Sequence, residues 1–149
     1  MPTSRRAILT ALVAIGALMP LTAFTPFMAQ AVQPKAQTAE QTEVLALVFA
    51  ADWCSACKVL DPKLRAAQAS LEDLPVTFVT LDQTDADARR QAAASAREGG
   101  YTEVYSAHEG KTGFVLLVHA QTQEVLGRIT SSDSESEIRR KVRRAVASA

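Results

Sequence analysis

The chain has 149 residues, room for one domain of ordinary size, with 48% hydrophobic residues and a formal net charge of zero. Nucleic-acid binding wants a clearly basic domain, so that class of function is set aside. Two cysteines, Cys54 and Cys57, can be a structural bridge or a working redox pair.

Residues 1–31 read as a bacterial secretory signal: Arg5-Arg6, an uncharged apolar run over 7–19, then the small-x-small site Ala29-Gln30-Ala31. Ser4-Arg5-Arg6-Ala7-Ile8-Leu9 also fits a twin-arginine export signal, except that Thr10 stands where Lys is common. The alternative is an uncleaved membrane anchor, because the uncharged stretch continues to Ala31, interrupted by Pro20 and Pro26. Export would place the mature chain in the periplasm, an oxidising compartment. That chain keeps two more acids than bases, since the signal removes Arg5 and Arg6 and no acid.

Residues 32–43 are polar and read as a linker. Residues 44–149 then carry seven predicted segments. Val44–Ala50 is a short, wholly apolar strand. A helix fits from Cys54 to about Leu71, with Leu60, Leu64, Ala67 and Leu71 at helical spacing, and Pro62 inside it predicts a kink. After Pro75, residues 76–81 are β-branched and strand-like. Thr84 or Asp85 caps a second helix to about Arg97, stopped by Gly99-Gly100. Residues 101–113 read as irregular. Residues 114–118 form a buried strand, 120–123 turn, and 124–129 return as a hairpin partner.

The last helix starts near Ser132 or Ser134, each followed three residues on by Glu135 or Glu137. Its apolar stripe is Ile138, Val142, Ala145 and Val146. Its bases, Arg139, Arg140, Lys141, Arg143 and Arg144, read as complements of the helix dipole rather than as an anion-binding patch. The order β-α-β-α-β-β-α predicts an α/β fold with a mixed four-stranded sheet and helices on both faces.

Trp53-Cys54-Ser55-Ala56-Cys57-Lys58 lies where the first strand hands over to a helix. A thiol pair at that spacing can close a disulfide and reopen it. Phe49-Ala50-Ala51-Asp52-Trp53-Cys54-Ser55-Ala56-Cys57-Lys58, with Pro62 five residues on, resembles the active-site segment of the thioredoxin-like family. In detail, 51–58 is similar to the C-terminal domain of the reductant conductor DsbD. Leu81-Asp82-Gln83 also resembles family members. The resemblance implies a thioredoxin fold over about 44–149, with Trp53, Lys58 and Pro62 as supporting residues. Three departures stand out. Val48 occupies the position where many thioredoxins carry a buried acid. Lys111-Thr112-Gly113-Phe114 lacks the family's cis-proline, so Thr112 or Gly113 takes that place in the substrate groove. The loop over 101–110 looks long and overhangs the site.

The expected chemistry follows from position. At a helix start, unpaired donors and the dipole favour a thiolate, so Cys54 is expected to be the exposed nucleophile. Cys57, one turn in, is expected to be more buried and to resolve the mixed disulfide, closing the Cys54–Cys57 bridge. Trp53 either offers an apolar contact surface or simply packs. Lys58 either favours the thiolate or is solvated. Ser55-Ala56 brings no charge between the cysteines, which predicts a mildly reducing or intermediate potential. The rival readings keep the cysteines but change their use. They are a structural bridge, a low-turnover redox sensor, or a metal-binding or chaperone module that carries a metal or docks a partner, with copper ahead of zinc because soft thiolates suit Cu(I). His108 is expected to be solvated in its loop, and His119 to end a hairpin strand. The leading expectation is an enzyme reducing protein disulfides with an upstream electron donor, without cofactor or resident metal.

Overall fold

In the computed structural model, which describes residues 42–149, the apolar run Val44–Ala50 is strand β1, inside the sheet. The expected signal, 1–31, lies outside the described residues, as does the linker up to residue 41. Thr42 and Glu43 already belong to the folded unit: the Thr42 hydroxyl meets that of Thr77 at 2.9 Å, and Glu43 N–H donates to the Pro75 carbonyl at 3.0 Å.

The other strands are β2 (Val76–Asp82), β3 (Phe114–His119) and β4 (Val125–Thr130), and the sheet order is β2-β1-β3-β4. β1 runs parallel to β2, with Val48 beside Thr80 and Ala50 beside Asp82. It runs antiparallel to β3, with Phe49 opposite Phe114. β3 and β4 form the expected hairpin, with an irregularity at Leu117/Val118. The central strands β1 and β3 are covered on both faces, which is why their sequences are continuously apolar rather than alternating.

Helices α1 (Ser55–Gln68) and α4 (Glu135–Ser148) cover one face. There Leu60, Leu64 and Ala67 meet Val44, Ala46, Val115 and Leu117, with Ile138, Val142 and Ala145 alongside. Helix α2 (Ala86–Glu98) covers the other face, where Ala92 and Ala96 pack on Leu47, Phe49, Phe114 and Leu116. The predicted mixed sheet with helices on both faces is thus the observed architecture. Each fully buried Leu or Phe contributes about 1.5–3 kcal/mol relative to exposure.

Three local expectations are corrected. α1 stops at Gln68, not Leu71, because the chain tightens into turns: Ser70 N–H donates to Ala67 O and Leu71 N–H to Gln68 O. Pro62 lies inside that helix, where its missing N–H removes one backbone bond. Residues 101–113 are not wholly irregular, since Thr102–Ser106 is a short helix, α3. Tyr101, Val104 and Tyr105 are buried against the α2 face, so this segment packs as core instead of overhanging the cysteines.

The remaining helix starts follow side-chain chemistry. Asp85, not Thr84, caps α2 by accepting from Ala88 N–H at 2.8 Å. Ser134, not Ser132, caps α4 in a full capping box with Glu137. The turn before α4 is anchored by Asp133, which accepts from Thr130 N–H and pairs with Lys141, both at 2.8 Å. The bases of α4 do not complement its C-terminal dipole as expected, since none lies in the last turn; Arg139 pairs with Glu135 and Arg140 with Glu137 nearer the helix start.

Candidate active site

β1 ends at Ala50, a tight turn follows, and α1 begins at Ser55, which makes Cys54 the helix N-cap. Its backbone is extended (φ −80°, ψ 107°), and its sulfur accepts from Cys57 N–H at 3.1 Å. Cys54 N–H donates to Ala51 O at 3.1 Å, which closes the turn. Cys54 and Cys57 form a disulfide with their Cα atoms 5.3 Å apart. The sulfur at the helix start therefore faces backbone donors, an environment that favours negative charge once the bond opens.

The segment before β3 lies against this pair. Gly113 N–H donates to Phe49 O at 2.9 Å, and Cys57 Sγ lies 3.9 Å from the same carbonyl. Gly113 has φ +89°, and a Cβ built on it would lie 2.9 Å from Ala56 Cβ and 3.5 Å from Cys54 Sγ. Of Thr112 and Gly113, it is therefore Gly113 whose Cβ direction meets the cysteine helix, and glycine leaves that space empty.

The expected burial of the two cysteines is reversed. Cys54 is only 5% exposed, whereas Cys57 is half-buried. The reason is tertiary: the Gly113 segment lies close over Cys54, while Cys57 lines a cleft of about 490 Å³ between α1 and the end of β2. Val48, Ala50, Lys58, Asp61, Thr80 and Asp82 line that cleft too. Lys58 and Pro62 are both exposed on α1.

Trp53 is 60% exposed, so it is a surface residue rather than core packing. Its Nε1–H donates to Thr84 O at 3.0 Å, which fixes one edge of the ring. Thr84 is a hub that the sequence suggested only as a helix cap. Its hydroxyl accepts from Asp52 N–H at 3.1 Å and donates to Asp82 Oδ1 at 2.6 Å. Asp82 Oδ1 also accepts from Thr84 N–H at 2.8 Å. The Asp-x-Thr spacing just past a strand was the available signal. Gln83 was also missed as a structural residue. It is fully buried, and its Oε1 accepts from Gly110 N–H at 2.9 Å, tying the 107–113 segment to β2.

His108 is half-buried rather than free in its loop. Its ring packs 5.7 Å from that of Phe49 and 5.8 Å from that of Phe114, and Nδ1–H donates to Val104 O at 2.9 Å. Those two rings belong to the face opposite α1. His119 closes the hairpin as expected, accepting from Gln121 and Thr122 N–H at 3.2 Å each. Among the described residues, no three His, Cys, Asp or Glu side chains converge as metal ligands.

Comparison with known proteins follows the same line. The family model described as Thioredoxin matches residues 28–124. A thiol:disulfide interchange protein of the thioredoxin family from Chlorobium tepidum TLS is similar in structure, with 20% identity, 71% of this chain and 81% of that chain covered, and a TM-score of 0.49. A thioredoxin from Fasciola hepatica shows 20% identity, 70% and 83% coverage, and a TM-score of 0.45. A secreted disulfide oxidoreductase from Mycobacterium tuberculosis, homologous to E. coli DsbE, shows 18% identity, 73% and 84% coverage, and a TM-score of 0.44. No curated protein sequence matches the chain.

Proposed function

This chain belongs to the thioredoxin family, whose model matches about two thirds of it, and on that premise we propose that it is an exported reductase of protein disulfides. The observation that carries the reading is the Cys54–Cys57 disulfide at the N-cap of α1, with Gly113 laid against it.

In the proposed cycle the reduced Cys54 thiolate attacks one sulfur of a substrate disulfide. A Cys54–substrate disulfide forms, and the first substrate thiolate leaves and takes up a proton. Cys57 then attacks Cys54 Sγ, closing the 54–57 bond and releasing the second substrate thiolate. Two electrons have passed to the substrate, and a dithiol donor upstream returns them. The Cys57 N–H bond to Cys54 Sγ and the first-turn donors support Cys54 as the attacking sulfur. The exposed face of Trp53 supplies an apolar surface for the substrate beside the sulfurs.

The reducing direction is supported by Ser55-Ala56, which puts no cation between the cysteines, and by the DsbD-like wording of 51–58. The periplasmic location is supported by the pattern of residues 1–31, with residues 32–43 as the linker to the catalytic domain. N-terminal sequencing of the mature protein is expected to begin at Val32.

The test is insulin-type disulfide reduction by the mature protein and its Cys54→Ser and Cys57→Ser variants. Wild type is expected to turn over, both variants to lose activity, and Cys57→Ser to hold the substrate as a mixed disulfide through Cys54. Turnover by Cys54→Ser would overturn the assignment. So would a potential as oxidising as about −120 mV, the strong-oxidant end of the family. No turnover in wild type, with tight Cu(I) binding lost in either variant, would replace the enzyme with the metal-module reading.

A further inference from the structure

We propose that Asp82, at the end of β2, accepts the proton of Cys57 through water in the cleft when Cys57 resolves the mixed disulfide. The proposal rests on the reductase reading above and names a further residue for its second step.

The need comes from the chemistry. Cys57 attacks as a thiolate, and a free cysteine has a pKa of about 8.5, so at neutral pH its proton must go somewhere. The strand position facing α1 near this sulfur is Val48, which can accept nothing. The neighbouring strand can. Parallel pairing sets Thr80 beside Val48 and Asp82 beside Ala50, on the face that α1 covers. Cys57 and Asp82 line the same cleft, whose volume of about 490 Å³ admits water.

Five charged groups face this cleft: Asp52 from the turn, Lys58, Asp61 and Arg65 from α1, and Asp82 from β2. Asp61 is engaged by Arg65. The side chains of Asp52 and Asp82 are both exposed, but the Asp52 carboxylate accepts no hydrogen bond within the described residues, so nothing there fixes it. Asp82 is held in place: Oδ1 accepts from both Thr84 N–H and Thr84 Oγ1–H, which leaves Oδ2 as an acceptor. Among the described residues it pairs with no cation. It is the one carboxylate on the cleft both fixed by neighbours and uncommitted to a cation.

The step balances simply. The Cys57 S–H bond breaks and its proton passes through water to Asp82. The Cys57 sulfur bonds to Cys54 Sγ, and the Cys54–substrate S–S bond breaks with its electron pair on the leaving sulfur. That sulfur takes up a proton from solvent, to which Asp82 returns its own.

Stopped-flow mixing of the reduced protein with one equivalent of 5,5′-dithiobis(2-nitrobenzoate) separates the steps. The first thionitrobenzoate reports Cys54 attack, and the second reports Cys57 attack. Asp82→Asn preserves an Oδ1 acceptor for Thr84, so the hub stays satisfied. The expected result near neutral pH is an unchanged first phase and a second phase slowed about tenfold, below the usual range for a direct general base because water relays the proton. The deficit is expected to vanish at a pH where Cys57 ionises unaided, and Asp82→Glu to restore the rate. Equal second-phase rates in wild type and Asp82→Asn at every pH overturn the proposal, as does equal slowing in Asp61→Asn. Failure of the underlying reading looks different: wild type then shows no second phase, or Cys54→Ser still shows the first.

Discussion

Adding one methyl group at position 113 tests the geometry over the cysteines. In Gly113→Ala the new side chain meets two penalties. A φ of +89° is a conformation that L-residues avoid, at about 1–2 kcal/mol. The new Cβ would also stand 2.9 Å from Ala56 Cβ, well inside the optimum carbon–carbon separation of about 3.5–4.0 Å. Neither partner is free to yield. Ala56 sits in the first turn of α1, and the Gly113 segment is held by its N–H bond to Phe49 O and by Gln83 at Gly110. Overpacking of this kind costs about 1–3 kcal/mol. The two together give about 2–5 kcal/mol, a large share of a typical domain stability of about 5–15 kcal/mol.

The same methyl would lie 3.5 Å from Cys54 Sγ and narrow the approach to the attacking sulfur. Urea unfolding of the oxidised protein measures the first effect, and the first thionitrobenzoate phase measures the second. The expected result is a lower midpoint at unchanged slope, with slower Cys54 attack. A stability change below about 0.5 kcal/mol, the range of an ordinary surface substitution, would refute the reasoning. Proline here is expected to do worse than alanine, although the family commonly carries it. It fixes φ near about −65° and removes the N–H that bonds Phe49 O.

Two further outcomes concern the closing helix. Ser134→Ala removes the cap and half of the capping box of α4, and is expected to cost about 1 kcal/mol, read as a thermal midpoint lower by about 4–8 °C. Asp133 sets an acid limit. Burial works to raise its carboxyl, but bonds from Lys141 and Thr130 and the charge of Lys141 outweigh it and hold the group below its ordinary 3.8. A lowered folded value means that ionised Asp133 stabilises the fold above the ordinary value, and that this stability is lost as pH falls through the lowered one. Asp133→Asn is expected to be less stable at neutral pH and to lose less stability as the pH is lowered below the ordinary carboxylate value of 3.8; urea midpoints that run parallel for the two proteins would contradict it.

The architecture was legible because its signals are local. Continuous apolar runs marked β1 and β3, helical spacing marked Leu60, Leu64 and Ala67, and Ser134 with Glu137 marked the start of α4. α3 was not legible because five residues give too short a period, and because Tyr101, Val104 and Tyr105 show their purpose only against the α2 face. His108 misled for the same reason: a polar residue in a loop reads as solvated until Phe49 and Phe114 are brought beneath it. The burial of Cys54 and opening of Cys57 were invisible as well. They depend on the backbone of Gly113 and on the register of β2, both distant in sequence.

Two departures from the family pattern look in sequence like separate losses, and the structure relates them through one residue. Phe49 O holds Gly113 in front of Cys54, and the same carbonyl lies 3.9 Å from Cys57 Sγ. Glycine at 113 removes bulk in front of the nucleophile without giving up the N–H that pins the segment. Valine at 48 removes a charge behind the resolving sulfur, and a large cleft with Asp82 on its wall lies there instead. In the proposed cycle the front admits substrate and the back receives a proton. Changes at Gly113 should therefore act on the first phase of thiol release and changes at Asp82 on the second, since Gly113 lies against Cys54 while Asp82 shares the cleft that Cys57 lines.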